Sequence, residues 1–229
     1  MSRYKLEITL ESPCLIGSGE GFGAIIDSDI IFDEIGIPYI PAKRIKGCIK
    51  ESAIEVCEMF EQSGIDILGD LKNNREYGEN SYKIISDIFG KQGSDKPSPV
   101  YFSNLAIEGY DSAVKWFRYL TKKYNSVFNR EAIINQFTEI RQQTSIEDGV
   151  AKDHSLRTIR VAKKGLVFKG DVKFEEDKQI WLSLLFFACK NFRYMGSKRN
   201  RGFGKIKCVI GDDSIESEKL REMEAVCSK

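Results

Sequence analysis

The chain has 229 residues with 35 Lys and Arg against 34 Asp and Glu, a formal charge of +1. A partner recruited by charge must therefore be met by local patches rather than a bulk field, which excludes histone-like proteins and basic or acidic tails. With 41% hydrophobic and 11% aromatic residues, a chain of this size buries roughly 70–75% of its unfolded surface, which excludes general disorder and suits one large domain or two small ones.

The amino terminus alternates charge with apolar residues through Tyr4, Leu6, Ile8 and Leu10, so it lacks the apolar core of a secretory signal. The same alternation predicts a first strand over 3–10. A turn-rich segment, Gly17 to Gly23, leads into extended, β-branched sequence from Ala24 to Ile40 that carries Asp27, Asp29, Asp33 and Glu34 and is closed by Pro38 and Pro41. From Arg44 to Gln62 apolar residues recur at helical spacing, at Ile45, Cys48, Ile49, Ala53, Val56, Cys57 and Phe60.

Between about 63 and 165 the pattern loosens, with short helices expected at Tyr82–Phe89, Ala113–Tyr124 and Glu131–Ile140, a loop around Gly90–Pro99 and a candidate strand at Pro99–Ala106. Gly165–Phe174 alternates again as a strand. Gln179–Tyr194 is apolar nearly all round, as a buried helix is, and its uncharged run ends at Cys189, short of the ~20 residues of a membrane span. Phe203–Ile210 reads as a last strand with lysines on one face, and the acidic tail after Gly211 as a short helix or frayed end. The order suits an α+β fold with a ferredoxin-like (RRM-like) β-α-β-β-α-β core. It is expected as one domain over 1–229, with insertions at roughly 63–99 and 107–164.

Six cysteines, at 14, 48, 57, 189, 208 and 227, show no C-x-x-C spacing. They read as reduced, mostly buried thiols, and a soluble cytoplasmic protein with no membrane partner is expected. Gly19-Glu-Gly-Phe-Gly-Ala24 satisfies a dinucleotide pattern on paper, but the residues after it are extended rather than the helix a pyrophosphate needs. A P-loop is absent because Ile206 comes directly after Gly204-Lys205. The lone His154, flanked by Asp153 and Ser155, cannot form a triad with its own sequence neighbours. Carboxylates are therefore the candidates for a hard cation, and strict alternation would put Asp27, Asp29 and Asp33 on one strand face; a solvated strand face or loop is the alternative.

Basic residues gather in three segments. Gly196–Lys207 holds Lys198, Arg199, Arg201, Lys205 and Lys207 with no acid, and its glycines permit close backbone approach to a polyanion. Residues 157–173 add Arg157, Arg160, Lys163, Lys164, Lys169 and Lys173, and residues 43–50 add Lys43, Arg44, Lys46 and Lys50 at a helix start. Together they point to an RNA or DNA backbone. Arg201-Gly-Phe-Gly204 matches the opening of an RNP1 motif, but Lys205 and Cys208 stand where its stacking aromatics belong, so phosphate contact is the expected mode.

The order of these motifs resembles the RAMP proteins that form the backbone of type III CRISPR effector complexes of the Csm and Cmr kind. The matches are Leu15-Ile-Gly-Ser-Gly, Ala24-Ile-Ile-Asp27, Ile37-Pro-Tyr-Ile-Pro41, Lys43-Arg-Ile-Lys-Gly47 and the glycine-rich Gly196–Lys205 loop before the last strand. The stretch from Thr144 to Gly165-Leu-Val-Phe is similar to the thumb those subunits project. Ala42-Lys43-Arg44 departs from the family pattern of Gly and two small hydroxyl residues. The resemblance implies a subunit that binds guide RNA (crRNA), stacks with copies of itself and other effector subunits, and meets target RNA by base pairing. The basic segments supply the RNA contacts expected of such a subunit, from Lys43, Arg44, Lys46, Arg157, Arg160, Lys198, Arg199, Arg201, Gly202, Gly204 and Lys205. The resemblance also implies target-RNA cleavage at regular intervals promoted by Asp27, with Mg2+ or another divalent cation held there. The alternatives are a structural crRNA-binding subunit that does not cut and, less favoured with a single histidine, a guide-processing nuclease.

Overall fold

Alternating Leu6, Ile8 and Leu10, all buried, make Ser2–Leu10 a strand, β1, with one face on the core. The computed structural model describes residues 1–17, 26–64, 81–91, 93, 97–176 and 178–227. The Gly19–Ala24 pattern lies outside them. After the short strand β2 (Tyr39–Ile40), Pro41 ends the extended segment and α1 (Ala42–Ser63) begins. It buries Ile45, Ile49, Ala53, Val56 and Cys57 and stops at Gly64, whose φ of 68° a side chain would resist. Helix α2 (Ser81–Phe89) packs on α1. The middle strands, thinly marked in sequence, are β3 (Val100–Phe102) and β4 (Leu105–Ile107).

Helices α3 (Tyr110–Lys123) and α4 (Arg130–Phe137) come next. The expected helix through Ile140 is cut at Phe137, and Thr138–Gln143 is a strand, β5. Three interactions explain the break: Thr138 Oγ1 donates to the Ile134 carbonyl at 2.9 Å, Lys163 Nζ donates to the last-turn carbonyls of Asn135 and Gln136, and residues 138–143 gain a ladder with 157–162. That ladder, β5 against β8 (Arg157–Ala162), continues outward through β6 (Ile146–Glu147) and β7 (Val150–Ala151) to a tip at Asp148 and Gly149. Both tip residues have positive φ, 51° and 80°, the conformation a two-residue hairpin demands. This arm is where the sequence places the thumb.

Strand β9 (Val167–Phe174), helix α5 (Gln179–Asn191), strand β10 (Ile206–Ile210) and helix α6 (Asp213–Cys227) complete the chain. The antiparallel sheet runs β10-β1-β9-β4-β2, with β3 also paired to β9. The chain runs from β1 to β2 at the far edge, and α1 and α2 then lead to β3, which pairs with β9 on the side away from β1; β9 in turn reaches β10 through α5 with β1 between them. Helices α1 and α5 pack on each other across one face, and Ser52 Oγ donates to the Ala188 carbonyl at 2.9 Å inside that contact. Helix α5 buries nine consecutive residues, Trp181 to Cys189, each large apolar side chain contributing roughly 1.5–3 kcal/mol. Among the described residues no helix is long and apolar enough to cross a membrane.

Candidate nucleic-acid interface

The loop between α5 and β10 is shaped by backbone contact. Gly196 and Gly204 have φ of 84° and 78°, and a Cβ on them would stand 2.4 Å from the Leu15 carbonyl oxygen and 2.0 Å from that of Met195. Gly204 is buried, its amide donates to the Pro13 carbonyl at 2.8 Å, and its carbonyl accepts the Met195 amide. This corrects the expectation of RNA contact there: Gly204 seats the loop on the protein and has no free amide to offer. Gly202 is exposed and closes a single 3-10 turn, Arg199–Arg201, through its amide. Lys198 takes a left-handed backbone, φ 62°, at the start of that turn.

The turn splits its cations between two places. Lys198 Nζ donates to Gln143 Oε1 at 2.7 Å, and Arg201 reaches the same oxygen at 3.4 Å. Gln143 pairs with Arg157 across the arm's root. Arg157 in turn lies 3.3 Å from Asp27, whose other carboxylate oxygen accepts the Thr158 amide at 2.7 Å. That amide holds the Asp27 carboxyl below its ordinary range, with Arg157 assisting and burial opposing. Burial lowers the Lys198 ammonium, Arg201 lowers it further, and Asp27 works the other way. Through Gln143, half-buried Lys198 and exposed Arg201 stand beside the exposed Asp27–Arg157 pair in one locus where arm and body meet.

Arg199 faces the other direction, into a cleft of about 400 Å³ between α1, the end of α5 and the loop, where it meets Arg44, Arg193 and Ser197. Cys48 lies at the same cleft; burial raises its thiol and Glu51 adds to this, while Arg199 and Arg44 oppose it. Arg193 is outside the basic run read from sequence, although it is only three residues upstream of Gly196. Lys43 is exposed and Lys46 half-buried on the same helix, but neither lines the cleft. Burial, then Lys50, lowers the Lys46 ammonium. Lys205 pairs with Glu11 at 3.1 Å in a neighbouring recess.

The 157–173 segment does not converge on this surface as one patch. Arg160, expected to touch RNA, is instead buried between Asp29 at 2.8 Å and Glu131 at 2.6 Å, with its side chain 4% exposed. Its charge is neutralised in the interior, where no polyanion reaches. Lys163 caps α4, and Lys169 bridges Glu7 and Glu108 on the sheet. Only Arg157 of that segment joins the locus.

The acids separate as well. Residues 26–32 make isolated bridges rather than a regular strand, so Asp27, Asp29 and Asp33 do not share a face. Asp29 is in the core pair. Asp33 accepts the amides of Ile35, Gly36 and Ile37 and the Tyr110 hydroxyl. Among the described residues no three His, Cys, Asp or Glu side chains converge as a metal group. A hard divalent cation takes six or more oxygens. Asp27 is a single carboxylate with both oxygens engaged and Arg157 beside it, so the described residues do not fit such an ion. His154 lies between β7 and β8, exposed with φ 58°. Ser155 Oγ bonds Thr144 and backbone atoms of residues 145 and 152.

Fold and site thus define an α+β protein with a cationic junction between arm and body. The chain belongs to the RAMP superfamily, whose family model matches residues 7–207. Among solved structures it is similar to a chain of a type III-B Cmr-beta complex in the apo state. They share 16% identity over 92% of this chain and 98% of that one, with a TM-score of 0.61. A chain of the type III-B Cmr-beta complex bound to cognate target RNA is similar at 14% identity, 95% and 98% coverage and a TM-score of 0.58. At these identities the likeness is one of fold. No curated protein sequence matches the chain.

Proposed function

We propose that this protein is a guide-RNA-binding backbone subunit of a type III CRISPR effector complex, and that Asp27 promotes cleavage of the complementary target RNA. Supporting it are membership of the RAMP superfamily, likeness in fold to subunits of Cmr-beta complexes and, above all, the placement at the root of the arm of the Asp27–Arg157 pair beside Lys198 and Arg201, which both bond Gln143, the strand partner of Arg157. The Arg44, Arg193 and Arg199 cleft beside it binds guide phosphates, in keeping with a division of labour in which base pairing reads sequence and protein reads backbone.

In this reading the target's own 2′-oxygen attacks the adjacent phosphorus as the bond to the 5′-oxygen breaks, leaving a 2′,3′-cyclic phosphate and a 5′-hydroxyl; the 2′-OH proton passes to solvent water and the departing oxygen takes a proton from solvent. Asp27 accepts the hydrogen bond of that hydroxyl and orients it. Arg157, Lys198 and Arg201 bear the charge that develops on the phosphorus oxygens, which fixed cations do without reorganising. No step passes through a metal ion, because the donor set among the described residues does not fit one.

One observation favours a structural subunit that does not cut: both Asp27 oxygens are engaged, by Arg157 and by the Thr158 amide. The test is to assemble the complex with guide RNA, add labelled complementary RNA, and compare wild type with Asp27→Ala and Asp27→Asn. Loss of cleavage with target binding retained is the expected result. Unchanged cleavage at every site in both variants refutes the catalytic role; an uncut target with wild type establishes the structural one.

A further inference from the structure

Helix α3 lies outside all three basic segments of the sequence. Its inner face, Tyr110, Ala113, Val114 and Phe117, packs on Ile37, Ile107 and Ile133. The helical period then turns Lys115, Trp116, Arg118, Tyr119, Lys122 and Lys123 outward, all exposed. Trp116 is 64% exposed and Tyr119 50%. Large aromatic rings are usually among the most buried groups on average, so two side by side in water are a surface awaiting cover. They meet edge to face with centroids 6.1 Å apart, and with Lys115 they line an open recess of about 350 Å³.

The charge around these rings is mostly positive. Lys123 Nζ lies 5.5 Å and 5.2 Å from the Tyr119 and Tyr124 ring centroids. It donates to the Tyr119 hydroxyl at 3.0 Å. On the other flank Arg118, Lys122 and Arg130 line a second recess of about 360 Å³ with Glu34. The helix itself carries four cations against one acid, Asp111. Among the described residues none of Lys115, Arg118, Lys122 and Lys123 has a carboxylate partner within ion-pair distance.

We propose that the outer face of α3 is a stacking platform for single-stranded RNA, distinct from the Arg44 and Arg199 cleft, in which Trp116 and Tyr119 take bases and Lys115, Arg118, Lys122 and Lys123 take phosphates. Every base offers a π-face, so exposed rings among cations bind a strand with little regard to sequence. A polyanion also relieves the mutual repulsion of cations that the fold leaves unmatched. Duplex RNA hides its base faces and is excluded from the rings. The acidic, partly apolar surface of α6 on a second copy, with Leu220 40% and Met223 37% exposed, is the rival occupant, but it would give the rings nothing to stack on. The proposal does not rest on the effector-complex reading.

The two tryptophans make it testable, because Trp116 is 64% exposed and Trp181 only 2%. Unlabelled 15-nucleotide oligouridylate is titrated into the purified full chain while tryptophan emission is followed, and the same RNA with a 5′ label is followed by anisotropy. Expected are quenching of the water-exposed emission, loss of that quench in Trp116→Phe with binding retained, and roughly tenfold or weaker binding in the folded Trp116→Ala/Tyr119→Ala variant. Arg44→Ala/Arg199→Ala should weaken binding yet leave the quench at saturating RNA, which separates this face from the cleft. RNA binding without a Trp116 quench, an equal quench by duplex RNA, or no RNA binding overturns the proposal. So does a quench that appears on concentrating the protein alone, with a doubled mass, which assigns the face to a second copy.

Discussion

Replacing Arg160 by Met removes the positive member of an interior pair whose side chains are 4% and 8% exposed, at 2.8 Å from Asp29. The Asp29 carboxylate is left in a site where water cannot replace the guanidinium, a loss of about 3–5 kcal/mol. The second arm, to Glu131, adds at most about 1 kcal/mol because that carboxylate is 49% exposed. Against a total stability of roughly 5–15 kcal/mol, the variant sits near the margin of folding, and its melting temperature should fall by about 6–20 °C. The consequence reaches the functional site. The Arg160 amide donates to the Ser28 carbonyl and the Asp27 amide to the Thr158 carbonyl, so the pair clamps the segment that carries Asp27 to the arm. Urea unfolding read from the buried Trp181 measures the loss, and a double-mutant cycle with Asp29→Asn measures the coupling. The expected coupling is about 2–3 kcal/mol, with the double variant more stable than Arg160→Met alone. A loss under about 1 kcal/mol, or effects that simply add, would refute the account of Arg160 as an interior cation.

Gly204→Ala places a methyl carbon 2.0 Å from the Met195 oxygen and should cost about 3 kcal/mol or more. Gly202→Ala meets nothing within 4 Å and should cost only the ~1–2 kcal/mol of a left-handed backbone; similar melting temperatures for the two would contradict the packing described. Asp171 is held at about 2, first by its hydrogen bond from Arg3 and then by Lys5. Its folded value lies below its unfolded one, so its contribution, on the order of 1–2 kcal/mol, is present above about pH 4 and lost as pH falls towards 2. Urea midpoints measured from pH 6 to 2.5 should show that limb in wild type and a flatter one in Asp171→Asn. Finally, Arg199→Ala should reduce the slope of log K against log salt for single-stranded RNA by roughly 0.7, whereas Lys169→Ala should leave it unchanged because that ammonium bridges Glu7 and Glu108. Equal slopes for the two variants would sink the placement of the interface.

Much of the scaffold was legible in the chain. Period-two alternation marks β1, β9 and β10, and a continuous apolar run marks α5, because each buries one face or all of itself in the same core. The arm carried a signal that periodicity overlooks, Asp148-Gly149, a pair suited to positive φ. The α4 boundary was not legible, since Thr138 to Ile140 continues a helical pattern and leaves it only because a strand more than fifteen residues later supplies a ladder.

The site divides the same way. Sequence located the cations of the loop and of the helix start, because charge and glycine content are local properties, whereas Asp27 was set apart from its neighbouring acids only by the family resemblance. What each charge does was decided by residues far away. Arg160 and Asp29 are 131 positions apart and cancel in the interior, while Arg157, three positions from Arg160, stands at the surface beside Asp27. Gly204 and Gly202 are two positions apart, yet one is pressed against Met195 and the other is open. The formal charge of +1 gave no sign of the exposed cations of α3 either, since a helix's inner and outer faces are assigned only when Ile37, Ile107 and Ile133 come together beneath it. Local sequence determines which groups are ionised and which backbone shapes are allowed. Which groups meet water, and so remain free to bind, is settled by contacts between segments distant in the chain.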